Sequence, residues 1–323
     1  MNADAPSASH GVWPAGGYLL GLDIGGSKCA VLAGTPAGVV LERRAWPSRA
    51  ERGPSAMLAE IHAYAAELAG PHGPPRAVGV AIGGPLDAAA GVVCSPPNLP
   101  GWDGIALRRL LEERWGCPVG VEHDAAACAL AEVLWGGHGR SRRLAYLTCA
   151  TGFGVGLVID GVPYYGARGR SPEIGHVLLD PDGPEAFGIR GCAEAFCSAR
   201  SLGRIASWKY PARWPTPPEP QRLQALAAAG DADAAAVVAV NAAMTGRVCA
   251  LLADLFHPDR IVLGSLARYL GPSWVEAVRR ECRRLALPDA ADDAVIAPAS
   301  LGERLQDLSA LAAAQRALSA APA

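Results

Sequence analysis

At 323 residues the chain is long enough for two medium domains, each with its own core. Half of the residues are hydrophobic, 19% are charged and the net charge is −2, so nothing in the electrostatics points to nucleic acid or an anionic membrane as partner. No uninterrupted apolar stretch reaches the roughly 20 residues that span a bilayer. The opening MNADAPSASHGVWPAGG lacks the basic and apolar regions of a secretory signal, and residues 1–17 read as a flexible tail. Nine cysteines, an odd number without CxxC spacing, fall in apolar surroundings, the pattern of buried reduced thiols in a cytoplasmic protein.

A strand over 18–24 ends in Gly25-Gly26, and further strands over 28–33 and 39–44 follow closely enough to predict hairpins. Apolar Met57, Leu58, Ile61 and Tyr64 predict a helix over 54–69. A short buried strand over 77–82 runs into Gly83-Gly84-Pro85. An amphipathic helix at 107–115, a strand at 119–122 and an apolar helix at 125–135 come next, with Asp124 placed to cap the last. The grammar then repeats: strands over 143–149 and 154–160 flank the turn Thr151-Gly152-Phe153-Gly154. The five prolines of WKYPARWPTPPEP exclude regular structure over 208–220 and predict a loop. Helices at 221–229 and 232–256, a strand at 260–263, a helix at 274–285, a strand at 294–297 and a closing helix at 305–317 complete the chain. Strands and helices alternating in two halves predict an α/β protein of two domains.

The chemistry gathers at glycine turns. Asp23 ends a strand just before Gly25, Gly26, Ser27 and Lys28, and glycines there let backbone N–H groups approach phosphate oxygens while Lys28 adds positive charge. Asp23 is placed to hold a hydrated Mg²⁺. Taken alone, the same turn could be a plain β-hairpin, and it is not the GxxxxGK[ST] phosphate loop. The turn containing Thr151 and Gly152 has the same context, and Gly264 follows the strand DRIVL. Two such turns in similar halves favour a nucleotide clamped between domains.

The phrases GLDIGGSK, VGVAIGGPLD, SPPNLPGW, VEHDAAACALAE, TGFGVGLVIDG, PEIGHVLLDPDG and GCAE occur in order, followed by the weaker HPDRIVLG and IAPASLGERL. Together they resemble the sugar-kinase branch of the ROK family (repressors, open reading frames and kinases), within the actin-like ATPase superfamily that includes hexokinases. The resemblance implies a two-domain actin-like ATPase fold with a nucleotide and substrate cleft between lobes. It implies ATP and Mg²⁺ as cofactors and transfer of phosphate to the primary hydroxyl of a hexose or hexose-like polyol. Asp124 matches the family's catalytic aspartate; Glu173 and His176 match its E-x-G-H sugar-binding pair, and Glu194 the acid of its G-C-x-E phrase. Gly84 lies where backbone contacts to sugar are expected. Family members are often dimers, so a homodimer is implied as well.

The sequence departs from the family pattern in two places. Family kinases commonly hold a structural zinc with the histidine of G-H and three cysteines; here only His176 and Cys192 remain, with Glu185, Ala186 and Phe187 in the cysteine positions, so no zinc is expected. The residue before the base is usually Asn and is His123 here, which alters the hydrogen-bonding pattern offered to substrate. An amino sugar or a C7-cyclitol is therefore an alternative substrate. A sugar-binding protein without catalysis is a further alternative. Ser27 for the usual Thr and Gly264-Ser265 for a glycine pair are lesser changes. A small lobe over 18–123, joined by the helix at 305–320, and a large lobe over 124–304 are expected. The family's repressors carry a DNA-binding domain ahead of the first strand, for which about 17 residues are too few.

Overall fold

The computed structural model describes residues 16–70, 72–139 and 141–320. Most of the tail expected at 1–17 lies outside the described residues. In chain order the elements are β1 (Leu19–Ile24), β2 (Lys28–Gly34), β3 (Val40–Pro47), α1 (Gly53–Ala69), β4 (Ala77–Ile82), β5 (Leu86–Asp87), β6 (Val92–Val93), α2 (Leu107–Trp115), β7 (Val119–His123) and α3 (Asp124–Trp135). They continue with β8 (Arg143–Leu147), β9 (Val155–Ile159), β10 (Val162–Pro163), β11 (Glu185–Ala186), β12 (Ile189–Arg190), α4 (Ala193–Cys197), α5 (Ser201–Lys209), α6 (Pro220–Ala228) and α7 (Ala232–Phe256). The last are β13 (Arg260–Leu263), α8 (Ser265–Leu285), α9 (Pro288–Asp293), β14 (Val295–Pro298) and α10 (Leu305–Ala320).

The chain divides into two compact units. The first takes the described residues within Met1–His138, Val162–Ser171 and Glu303–Ala323, and the second Gly139–Gly161 and Pro172–Gly302. The boundary expected at 123/124 thus falls beyond α3, which packs on α10, and residues 162–171 return to the first unit.

In the first unit the strand order is β3-β2-β1-β4-β7. Strands β1 and β2 pair antiparallel, whereas β1, β4 and β7 run parallel. Side chains alternate across the sheet, so Leu20, Leu22, Val78, Val80 and Val121 join Met57 and Ile61 of α1 in one core. The opposite face carries Gly21, Gly79 and Gly120, opposite one another across the three parallel strands. Helix α10 lies directly on this glycine row: a Cβ added at Gly79 would sit 2.1 Å from the backbone of Ala310 and Ala314, and one at Gly120 2.3 Å from Ala313 O. Small residues on both sides let helix and sheet backbones meet.

In the second unit β8 pairs antiparallel with β9 and parallel with β13, which pairs parallel with β14. Helix α7 is long and apolar enough, by length and composition, to cross a membrane, although the sequence reading singled out no such stretch. Its polar residues explain its place in the core. Asn241 is buried and donates to Phe196 O (2.8 Å) and Ser201 Oγ (3.1 Å), while its Oδ1 accepts from Trp274 Nε1 (2.8 Å). Thr245, also buried, donates back to Asn241 O at 2.9 Å. These fixed partners satisfy polar groups that would otherwise cost free energy inside.

Two local expectations change. The Pro-rich loop begins later than 208, because Trp208 and Lys209 close α5; Tyr210 leaves the helix, as a residue before proline disfavours helical geometry. The helix expected at 274–285 starts at Ser265 but breaks at Gly271, whose φ of 79° is followed by Pro272.

Candidate active site

The register of the parallel strands places the first group of residues. Ile24, Ile82 and His123 are partners across β1, β4 and β7, so the three strands end at one level. The residues just past them, Gly25, Gly83 and Asp124, therefore emerge along one edge, the carboxyl end where ligands gather in α/β sheets. A cavity of about 360 Å³ opens there, lined by Asp23, Gly25, Gly26, Ser27, Lys28, Gly84 and Asp124. Asn98 and Gln306 line it too and were not singled out from the sequence. Asn98 belongs to the phrase SPPNLPGW, whose Pro-Pro-Asn step was the available signal.

The turn from Gly25 to Lys28 is a tight hairpin: Gly25 N–H donates to Lys28 O at 3.0 Å. Ser48 supports it from below, donating through Oγ to Gly26 O (2.6 Å) and through N–H to Ser27 O (3.1 Å). At Gly26 any side chain is excluded, since an added Cβ would lie 2.5 Å from Asn98 O. The turn is thus a β-hairpin held by its own backbone and by Ser48.

Asp124 is the first residue of α3, and His123, in extended geometry, precedes the helix as its cap. The carboxylate accepts from the next residue, Ala125 N–H, at 2.6 Å, so it occupies the helix start without the usual reach to the third residue. The His123 ring packs on Gly84, whose added Cβ would meet its Cδ2 at 2.6 Å. His123 Nδ1 is buried without a hydrogen-bond partner; Asp124 Oδ1 lies 3.3 Å away but out of line. Asp23 is surrounded by negative charge. Burial first, then Asp124 and Asp307, push its acid up to about 7, against the pull of Lys28 and Arg43.

The second group belongs to the second unit. Thr151 and Gly152 sit in a turn closed by Ala150 N–H donating to Gly152 O (3.0 Å) and Gly154 N–H donating to Thr148 Oγ1 (2.9 Å). Gly264, between β13 and α8, packs against this turn: its N–H donates to Leu147 O at 2.8 Å, and an added Cβ would sit 2.1 Å from Thr148 O. Glu194 on α4 accepts from Phe153 N–H at 3.1 Å, and burial raises its acid, offset by that bond and by Arg204, His176 and Arg200. Thr151, Gly152, Gly264 and Glu194 are therefore brought together. Glu173 caps a short helical turn beside α4 and His176 is its last residue; both are exposed.

The residues at the family's zinc position do not fit that metal. His176 stacks flat on Phe187, with ring centroids 4.7 Å apart and planes at 10°. Cys192 is fully buried, donates to Ala186 O at 3.6 Å and packs with Ala186, Ala195 and Ile189. Among the described residues no group of three or more His, Cys, Asp or Glu side chains could hold a metal ion.

The sequence matches the ROK family over residues 19–316. The chain belongs to the ROK family. A glucokinase of Halalkalibacterium halodurans is 28% identical over 306 residues, covering 88% of this chain and 91% of that one. A kanosamine kinase of Amycolatopsis mediterranei is 33% identical over 256 residues, covering 76% of this chain and 80% of that one. A ROK family glucokinase from Streptomyces griseus, solved in complex with glucose and AMPPNP, superposes with a TM-score of 0.75 at 27% identity, covering 93% of this chain and all of that one. The fold of this ROK chain is accordingly the two-domain, hexokinase-type α/β fold.

Proposed function

We propose that this chain is an ATP-dependent kinase that phosphorylates the primary hydroxyl of a hexose or a close hexose analogue. The observation that carries the reading is the shared edge of β1, β4 and β7, which sets the Gly25–Lys28 turn and the Asp124 carboxylate around one cavity. Glucokinase and kanosamine kinase relatives support it.

In this reading the turn and Lys28 hold phosphate oxygens, and Asp124 accepts the proton of the attacking hydroxyl as its oxygen bonds in line to the γ-phosphorus, while the bond from that phosphorus to the β,γ-bridging oxygen breaks and ADP departs. Thr151, Gly152 and Gly264 form the second unit's nucleotide turn. Glu173, His176 and Glu194 supply acceptors and an imidazole for sugar hydroxyls, and Gly84 offers backbone. A magnesium ion brought with the nucleotide would supply positive charge against the transferred group. The residues fit it: the oxygen-bearing side chains of Asp23, Ser27 and Asp124 line one cavity, and Asp23 would hold the ion through water. Zinc has no part in the reading.

An amino sugar is favoured over glucose by the identity of His123, whose ring beside the base offers one donor and one acceptor in a fixed plane. A substrate matched to that pattern is discriminated strongly, because an analogue without the matching group leaves a polar atom of the site unpaired. The kanosamine kinase relative agrees with this choice.

The test is ATP consumption across glucose, aminoglucose isomers and cyclitols, with the natural protein and His123→Asn. An aminoglucose is expected to give the highest kcat/KM, and the substitution to move preference toward glucose. If glucose leads from the start and the ranking survives the substitution, the role of His123 is wrong. If no sugar stimulates ATP consumption, the kinase reading fails.

A further inference from the structure

Strand β7 is the edge of its sheet, so alternate N–H groups along it face away from any neighbouring strand and need another acceptor. His123, the last residue of β7 and the one before Asp124, has such a group. Its N–H donates to the phenol oxygen of Tyr165 at 3.2 Å. Tyr165 lies in the segment Val162–Ser171, which returns to the first unit and is pinned there again by Ala88 N–H donating to Gly169 O at 3.1 Å.

The phenol is held from its other side. Its O–H donates to Glu122 Oε2, and Glu122 is fully buried. The second carboxylate oxygen, Oε1, accepts from the guanidinium of Arg316 on α10. Burial and the adjacent carboxylate hold the Tyr165 phenol far above its ordinary range, so it stays protonated and can donate to Glu122 while accepting from His123. The chain of contacts runs from Arg316 through Glu122 and Tyr165 to the peptide N–H immediately ahead of Asp124. Charge-assisted bonds of this kind are stronger and more directional than neutral ones.

We propose that Tyr165 is a positioning residue for the phosphoryl transfer: its hydroxyl fixes the peptide at His123, and with it the start of α3, so that the Asp124 carboxylate stays aimed at the acceptor hydroxyl. The inference rests on the reading of Asp124 as the base. Tyr165 itself touches neither nucleotide nor sugar in this role. Small misplacements of a catalytic group are costly in rate, because the reacting atoms must stay near contact and in line. Removing the hydroxyl also leaves the His123 N–H and one Glu122 oxygen without partners, which loosens the junction between β7 and α3.

The experiment is a double-mutant cycle of Tyr165→Phe with Asp124→Asn, measured as kcat and as KM for ATP on protein shown to be folded by its thermal melt. Tyr165→Phe alone is expected to lower kcat roughly tenfold, about 1.4 kcal/mol of barrier, and to leave KM for ATP within about twofold. In the Asp124→Asn background, where no base remains to be aimed, the same change is expected to have no further effect on kcat. A structural role alone would lower the melting temperature and leave the rate per folded molecule unchanged. An unchanged kcat in Tyr165→Phe, or a loss that persists in the Asp124→Asn background, overturns the inference while leaving the base reading intact. Near-normal turnover of Asp124→Asn removes the base reading and the inference with it. Should Tyr165→Phe fail to fold, Arg316→Gln carries the same cycle from the exposed end, with a smaller loss of kcat that must vanish in the same background.

Discussion

Two carboxylates that line one cavity with the Gly25–Lys28 turn are expected to behave in opposite ways when replaced. Asp124→Asn keeps the size of the side chain but cannot accept a proton, so turnover is expected to fall by roughly 10² or more while nucleotide affinity, measured by calorimetry, stays close to natural. Asp23→Asn is expected to remove turnover and yet to stabilise the fold. The folded protein keeps a proton on Asp23 up to about pH 7, whereas the unfolded chain releases it near 3.8. Stability from this group is therefore complete below about pH 4 and is lost as the pH rises toward 7. Thermal melts without nucleotide across that range should show the natural protein losing stability that Asp23→Asn retains, at about 2–4 °C per kcal/mol for a domain of this size. At this scale the sequence was most legible where a residue follows a strand. Asp23, Gly25, Lys28 and Asp124 are marked by glycines and strand ends, and all line one cavity. Tyr165, Glu122 and Arg316 carry no such mark. Their partnership joins three stretches separated by 43 and 194 residues, and only folding makes them neighbours.

The segment from His176 to Cys192 is held by a short hairpin and by side-chain packing. Where zinc would pin the loop, β11 and β12 form a two-rung hairpin, Phe187 covers the His176 ring, and Ala186, Ile189, Cys192 and Ala195 make a miniature core. Elemental analysis of the purified protein is expected to find far less than one zinc per chain, and a chelator should leave the melting temperature unchanged. Phe187→Ala should cost about 1 kcal/mol through the lost stack. One zinc per chain bound through His176 and Cys192 would falsify this account. Elements with a clean period, such as α2 and α7, were legible to the residue, because a helix face or a long apolar run leaves a trace in composition. Helix α5 was not, since its buried Ser201 and Gly203 look like loop residues. Ser201 earns its place by hydrogen bonds to Phe196 O and Ser198 O, and Gly203 by close approach to Pro218 O, contacts that neither residue type announces by itself.

At the scale of the molecule, the glycine row of β1, β4 and β7 decides how the first unit is built. Gly79→Ala is expected to push α10 off the sheet, because the added methyl would fall within 2.1 Å of helix backbone that has no rotamer to yield. Overpacking of this sort costs about 1–3 kcal/mol. Denaturant melts should show that loss, with kcat falling alongside, since α10 carries both Arg316 and the pocket-lining helix start near Gln306. The row also fixes the order in which a ribosome can deliver a finished product. Strand β1 waits for a helix that emerges almost 300 residues later, whereas every strand of the second unit's sheet from β8 to β14 has left by residue 298. During synthesis the second unit can therefore close over its own core while the sheet bearing the phosphate turn still shows a bare, backbone-lined face. The nascent chain is thus most vulnerable to proteases and to mispairing in the sheet of β1, β4 and β7, and it gains protection there only once α10 has emerged.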